Sequence, residues 1–311
     1  MTPQARIQRR PVHGVLLLDK PVGVSSNGAL QRARRALRAE KAGHTGTLDP
    51  LASGLMALCF GAATKFSQSG LDADKRYLAT LALGSTTDTG DVEGVVGQVR
   101  PVHVTRAQVD AACAQWVGDI EQVPPMYSAL KHEGKPLYAY ARAGVEIERT
   151  ARPVRIHAID VVEFGDERLV IDVSCSKGTY IRTLAQDIGE TLGCGANLSA
   201  LRRTHSGSLG IDAAVSLESL EAMTEDERMG LLQPTDALIA EQPLVRLDEH
   251  DAAQFLCGMR RQLDMPNTLG LRVYGPQPLA FLGSAHVTAG ELIADRLLSP
   301  TEVAALLPTT P

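Results

Sequence analysis

At 311 residues the chain exceeds the usual size of a single domain, which points to a large domain with a smaller appendage. Its 44% hydrophobic and 22% charged residues describe a soluble globular protein, and no apolar run approaches the length that crosses a bilayer. Five widely spaced cysteines without a C-x-x-C pair exclude a disulfide framework and a zinc site, and the net charge of -5 argues against a nucleic-acid partner until it is mapped along the chain.

The start, "MTPQARIQRRPVHG", has arginines but no apolar segment resembling a secretion signal, so a cytoplasmic protein is expected. "GVLLLDKPVG" reads as a short buried strand that breaks at Lys20-Pro21, after which Ser25 or Ser26 caps a helix. Leu30, Ala33 and Leu37 give that helix a narrow apolar stripe, with Arg32, Arg35 and Arg38 largely outward. Its surroundings, "QRARRALRAEK" at 31 to 41, carry five basic residues against Glu40.

"GHTGTLDPLASG", residues 43 to 54, holds one carboxylate, Asp49. It can be the N-cap of a helix that begins at Pro50, a pairing that suits both residues. Gly54 then interrupts the helix where it should consolidate, and "LMALCFG" reads at least as well as a short buried strand. The alternative is a shaped loop that presents a carboxylate.

"RYLATLALG" is a strand and "STTDTGDVEG" a turn-rich connection. "PPMYSALKHEGKPLYAYARAG" mixes tyrosines with Lys131, Lys135 and Arg142, a composition that suits stacking and phosphate contacts as well as a half-buried face. Residues 131 to 155 carry six basic residues against three acids. "VRIHAIDVVEF" and "RLVIDVSC" alternate as strands of one sheet, and "SKGTYIRTLAQDIGETLG" places Ile181, Leu184, Ala185, Ile188 and Leu192 at helical spacing. With Thr179 as cap, Arg182 falls in the first turn, where the helix dipole disfavours a cation by up to about 1 kcal/mol. A compensating anion or surface exposure each accounts for it. "LRRTHSG" adds a third basic stretch.

From Asp212 to Asp251 eleven acidic residues face two arginines, a local charge of -9, so the remainder of the chain carries +4 and its basic runs are available for phosphates. Beyond this stretch "LGLRVYG" and "PLAFLGSAHV", set among Gly and Pro, suggest a small β-rich domain from about residue 245. Strands mixed with helices and no βαβ period favour an α+β fold over a doubly wound sheet.

Taken together, "LLLDKPVGVSSN", "GHTGTLDPLASGLMALCFGAATKF", "KRYLATLALGSTTDTGD", "PPMYSALKHEGKPLYAYARAG" and "VSCSKGTYIRTLAQDIGETLGCGANLSALRRTHSG" resemble the TruB family of tRNA pseudouridine synthases, of the stand-alone bacterial type. The segments stand in family order across most of residues 14 to 210. Ser25 is a departure, since the family usually has threonine there. The end of the chain resembles a PUA domain more weakly.

The resemblance implies a mixed, mainly antiparallel catalytic core over residues 1–244 with an RNA-gripping insertion at about 124–152, and a PUA-like RNA-binding domain over 245–311. It implies isomerisation of the T-loop uridine of tRNA, conventionally number 55, to pseudouridine, with no cofactor, no metal and no required protein partner, by a monomer. Asp49 resembles the family's essential carboxylate, acting as nucleophile at the sugar or as the base that removes a sugar proton, and Arg182 matches the family's arginine partner. By the same resemblance, Tyr77 is expected to stack on a flipped uracil, His44 to stand in the RNA near the vacated space, and Tyr180, Leu201 and Lys20 to line or support the pocket. Ordinary alternatives are half-buried strand and helix residues for the tyrosines, a cap for His44 and plain core for Leu201. A non-catalytic RNA-binding or RNA-folding module, and a subunit guided by a separate RNA, are the rival functions. Asp49, Tyr77 and Arg182 together speak against the first, and the basic segment at 131 to 155 against the second.

Overall fold

The computed structural model describes residues 8–276 and 280–307. The first seven residues of the arginine-bearing start, and Pro278 and Leu279 of "PLAFLGSAHV", lie outside them. β1 (Gly14–Lys20) is buried at nearly every position, as a continuous apolar run is when both faces of a sheet are covered. Ser25 then caps α1 (Ser26–Ala36), its hydroxyl accepting the Gly28 amide at 3.0 Å. β2 (Ala42–His44) and β3 (Ala52–Phe60) follow, with β3 antiparallel to β1 from Gly14 opposite Phe60 to Lys20 opposite Gly54. α2 (Ser67–Asp72) leads into β4 (Lys75–Leu83), and the short β5 (Ser85–Thr87) and β6 (Val96–Val99) form a separate hairpin.

α3 (Arg106–Gln115) and β7 (Gly118–Gln122) precede a projecting segment made of β8 (Lys131–His132), β9 (Lys135–Pro136) and α4 (Leu137–Ala141). β10 (Arg152–Gly165) and β11 (Arg168–Cys175) form the antiparallel pair expected from their alternation. α5 (Ile181–Thr191), β12 (Ala196–Ser206), β13 (Leu209–Gly210), β14 (Val215–Ser216), α6 (Leu217–Ala222) and α7 (Glu225–Gly230) complete the first unit.

Its sheet has ten strands, in the order β14-β1-β3-β12-β4-β11-β10-β7, with β2 and β13 as side pairings on β3 and β12. Only β1 with β14 and β3 with β12 run parallel, so the sheet is mainly antiparallel and α+β as expected. β12 is inserted between β3 and β4, and that position brings the first third of the chain against residues near 200. α5 packs Leu184, Ala185 and Ile188 on the β4–β11–β12 region, while α1 and α6 cover β1 and β3 through Leu30, Ala33, Leu217 and Leu220.

A five-stranded second sheet, β15 (Leu244–Arg246), β17 (Thr268–Tyr274), β18 (Phe281–Thr288), β19 (Glu291–Leu297) and β16 (Arg261–Gln262) in spatial order, is covered by α8 (Glu249–Leu256) through Phe255 and followed by α9 (Pro300–Leu306). It joins the first unit through Ala62, Phe66, Ile239, Phe281 and Leu298, and through buried Asp236, which accepts from Arg272 at 3.1 Å and from the Tyr274 hydroxyl at 2.7 Å. No helix among the described residues is long and apolar enough to cross a membrane.

The fold also corrects one reading of charge. Arg32 makes two bonds to Glu221, at 2.7 and 2.5 Å, and Glu225 takes Arg10 at 2.5 Å and Arg38 at 3.3 Å. Two of the five cations in the run at 31 to 41, Arg32 and Arg38, are therefore paired with the acidic stretch after residue 212 inside the chain, and a third, Arg34, turns onto the Ala39 and Glu40 carbonyls. Partners 189 and 187 residues apart leave no local signal of their pairing.

Candidate active site

The Asp49 loop is held by its neighbours' backbones and not by a helix. The buried Ser26 hydroxyl donates to the Leu48 carbonyl and accepts the Leu48 amide, both at 2.7 Å, and the Gly23 amide donates to the Pro50 carbonyl at 2.8 Å. After one tight turn, closed by the Ala52 amide on the Asp49 carbonyl at 3.1 Å, the chain enters β3 directly. The capping reading of Asp49 thus gives way to the loop that presents a carboxylate. The two serines of "GVSSN" divide the work: Ser25 starts α1 and Ser26 clamps the loop.

Gly54 explains why a glycine interrupts that stretch. It sits opposite Arg203 in the parallel β3–β12 pairing at φ +101°, where a Cβ overlaps the Arg203 carbonyl oxygen and lies 2.7 Å from its nitrogen. Gly54→Ala is expected to lose about 2 kcal/mol or more of stability from backbone strain before the clash is counted. Denaturant unfolding checks this, and a midpoint equal to wild type removes the packing explanation.

α5 starts one residue later than expected. Tyr180 is its N-cap, and the Thr179 hydroxyl instead donates to the Ser176 carbonyl at 3.0 Å. Gln122 fixes the start, accepting the Tyr180 amide at 3.0 Å and donating to the Tyr180 carbonyl at 3.4 Å. Arg182 remains in the first turn, and its side chain is only 7% exposed, so solvation does not rescue the unfavourable dipole. Anions do: Nη2 lies 3.0 Å from Asp49 Oδ2, and Nη1 lies 3.6 Å from Oδ2 of buried Asp91. The same fork donates to the carbonyls of Tyr127 at 2.6 Å and Thr89 at 2.9 Å. Asp49 itself is 46% exposed, at the open side of the pair.

Asp49, Tyr77, Tyr180, Arg182 and Leu201 line one cavity of about 350 Å³, the size class of small-ligand sites. Tyr77 on β4 stands opposite Arg203 of β12 and Val173 of β11, and Leu201 is two residues before Arg203. Burial raises the pKa of both tyrosines, with nearby guanidinium charge opposing: Arg203 at Tyr77 and Arg182 at Tyr180. Both phenols are neutral rings, suited to stacking.

Lys20 and His44 stand outside the lining. Lys20 is fully buried, donating to the carbonyls of Pro21 at 2.8 Å and Val24 at 2.6 Å, and burial pushes it down to about 8, Asp49 opposing. It closes the turn after β1, whose Gly23 amide holds the Asp49 loop at Pro50. His44 ends β2, its Nδ1 accepting the Gly46 amide at 3.4 Å, and burial followed by the Arg203 charge lowers its pKa.

Four residues at or beside the site escaped the sequence reading. Arg203 is 2% exposed and bonds the carbonyls of Leu55 at 2.7 Å and Gly46 at 3.2 Å, stitching the Asp49 loop to β3. Arg202 bonds Asp19 through two nitrogens, at 3.1 and 2.7 Å, so "LRRTHSG" is not a phosphate-binding run. Asp91 is the second carboxylate on Arg182. Lys75 lines the cavity but turns its ammonium onto the carbonyls of Gly70, Leu71 and Ala73, at 2.9, 3.0 and 2.5 Å. Repeated glycine, threonine and acid in "TDTGD" was the one available hint of Asp91.

The segment between β7 and β10 reaches the same cavity, whose wall includes Ser128, Ala129 and Leu130. Farther out, Lys135 lies 4.7 Å from the Tyr140 ring centre and Arg142 lies 5.4 Å from that of Tyr138. Among the described residues neither cation, nor Lys131, has a carboxylate within ion-pair distance, in contrast to Arg149 with Glu146 and Arg155 with Asp119. No group of three or more His, Cys, Asp or Glu among the described residues converges as a metal-holding cluster.

Residues 34–181 match the TruB family pseudouridylate synthase (N terminal domain), and residues 182–240 match the tRNA pseudouridylate synthase B C-terminal domain. The tRNA pseudouridine synthase B of Verminephrobacter eiseniae (strain EF01-2) is 53% identical over 315 residues, covering 99% of this chain and 95% of that protein. The protein of the same name from Ralstonia nicotianae (strain ATCC BAA-1114 / GMI1000) is 56% identical over 304 residues, covering 95% and 97%. Among solved structures, a chain of a Cbf5-Nop10-Gar1 complex has the same fold, with a TM-score of 0.73 at 24% identity over 96% of this chain and 87% of that one.

Proposed function

The chain belongs to the TruB family of pseudouridylate synthases, and from that premise we propose that it converts the T-loop uridine of tRNA, position 55, to pseudouridine. The observation that carries the reading is the Asp49–Arg182 pair, a half-exposed carboxylate fixed 3.0 Å from a buried guanidinium at the rim of a nucleoside-sized cavity.

The N1–C1′ bond breaks, the uracil turns over within the cavity, and C5 bonds to C1′. C5 loses a proton and N1 gains one, so the isomerisation balances without an oxidant or co-reactant. Asp49 acts at the sugar, as nucleophile on C1′ or as base for a sugar proton, and Arg182 holds it ionised and aimed. Extruding the base from the folded loop costs a few kcal/mol, offset by stacking on Tyr77 and contacts with Tyr180 and Leu201. His44, just outside the cavity, fills the space the base leaves. A monomer acts on the T-arm in the cytoplasm without a guide RNA, its insertion and its C-terminal domain touching RNA away from the reacting base.

Purified protein incubated with a T-arm stem-loop containing only unmodified uridine, in buffer with EDTA, is expected to convert one uridine, and mapping pseudouridine in the product checks this. Tight binding without conversion overturns the reading in favour of a non-catalytic RNA-binding module.

Affinity supplies a second expectation. The unpaired cations of the insertion make binding fall steeply with salt, despite the acidic pI of about 5.9. Reversing the charges of Lys131 and Arg142 flattens the slope of log affinity against log salt by about 0.7 to 0.9 for each phosphate no longer neutralised. Reversing Arg32, already engaged by Glu221, flattens it less. Filter binding across a salt series checks both, and an unchanged slope in the Lys131/Arg142 variant assigns these cations to a solvated face.

A further inference from the structure

Four cations line the cavity: Lys75, Lys177, Arg182 and Arg203. Three are occupied by the protein itself. The three Lys75 N–H groups face three carbonyls, Arg203 is buried on two more, and Arg182 serves two carboxylates and two carbonyls. Lys177 differs. Its side chain is 60% exposed and makes one bond, at 2.7 Å, to Oδ1 of Asp72, which leaves two ammonium N–H groups for another acceptor.

Both ends of that ion pair are fixed. Lys177 stands on the turn between β11 and α5, which is tied by the Ser176 amide on the Arg155 carbonyl at 2.8 Å and the Arg155 amide on the Ser176 hydroxyl at 2.9 Å. Asp72 ends α2, whose last carbonyls are held by Lys75, and its other oxygen accepts from Gln68 at 3.1 Å. Leu71 lines the cavity beside it. The pair therefore bridges the mouth between two rigid elements 105 residues apart in sequence. It is superfluous as a brace: Asp74 already joins the α2–β4 connection to β10 through His157 at 3.0 Å and to the end of β12 through the Gly207 amide at 2.8 Å. Exposed pairs of this kind contribute little to stability and break readily.

We propose that Lys177 meets the backbone phosphate of the nucleotide that enters the cavity, and that Asp72 is a built-in competitor that holds the ammonium at the mouth until RNA displaces it. The proposal rests on RNA being the substrate and adds the interaction that recognises its backbone at the point of entry. Exchange of a carboxylate for a phosphate keeps the ammonium paired throughout, and counterion release from the RNA favours the exchanged state. Holding the cation on Asp72 also weakens capture of polyanions that do not insert a nucleotide.

Affinity for the T-arm stem-loop, measured over a salt series, tests this with Lys177→Gln, Asp72→Asn and the double variant. Lys177→Gln is expected to weaken binding and flatten the salt slope by about 0.7 to 0.9, the value for one phosphate fewer neutralised. Asp72→Asn is expected to tighten binding by roughly 1.4- to 5-fold, the range for releasing an exposed pair, and to have no effect in the Lys177→Gln background. An unchanged salt slope in Lys177→Gln, or weaker binding by Asp72→Asn, overturns the proposal. Asp72→Asn keeps the test decisive if Lys177→Gln folds poorly. Wild-type protein that neither binds the stem-loop nor forms pseudouridine instead condemns the RNA reading, so the two failures are distinguishable.

Discussion

Asp49→Asn is expected to stop pseudouridine formation while affinity for the T-arm changes little. The substitution keeps the size of the side chain and removes its charge. The loop does not depend on that charge, because Ser26, Gly23 and the Ala52 amide hold Leu48, Pro50 and the Asp49 carbonyl through backbone atoms. Nor does Arg182 lose its place, since Asp91, Thr89 and Tyr127 still engage it. Single-turnover measurement with saturating RNA isolates the chemical step. Loss of a general base leaves a residual rate about 10²- to 10⁴-fold below wild type, whereas loss of a nucleophile that forms the intermediate leaves no route at all. The residue of activity therefore separates the two roles, and turnover at a modest fraction of wild type removes Asp49 from the chemistry.

What was legible in the sequence was local. The period of β4, β10, β11 and α5 is set by which side chains face the core, and the two oddities of Asp49 and Arg182 were visible because each breaks a local rule. Gly54, four residues past Pro50, where a helix capped by Asp49 begins, argued for a strand, and the strand is there. The cap of α5 falls one residue later than its sequence suggests because Thr179 is the better capping side chain, but Gln122, from β7, satisfies the Tyr180 backbone instead. Arg203 and Arg32 show the larger limit. Charge counted along the chain treats an arginine as available, yet availability is decided by what the fold brings opposite: two carbonyls of the β3 region in one case, Glu221 in the other. Lys177 is the converse, a lysine with no local signature that becomes informative once the other three cations around it are seen to be occupied.

Arg182→Lys is expected to damage the chemical step although it preserves the charge. The guanidinium presents separate nitrogens to two sides: Nη2 to Asp49 and the Tyr127 carbonyl, Nη1 to Asp91 and the Thr89 carbonyl. A single ammonium has three N–H groups at one point and cannot span four acceptors, so either Asp49 loses its orientation or Asp91 loses its partner. Arg182→Ala goes further. Asp91 is 7% exposed and keeps only its bonds from Thr89 and the Glu93 amide, so removing the cation leaves a buried charge uncompensated, at a cost of about 3 kcal/mol. Asp91→Asn in the Arg182→Ala background is expected to recover part of that stability without recovering activity, a result a purely structural role for the arginine does not give. In single turnover the double change Asp49→Asn with Arg182→Ala should be scarcely slower than Asp49→Asn alone, because residues that act as a unit are non-additive. If Arg182→Lys instead turns over at the wild-type rate with saturating RNA, the fork is dispensable, and the account of why a cation sits in the first turn of α5 is reduced to its bond with Asp91.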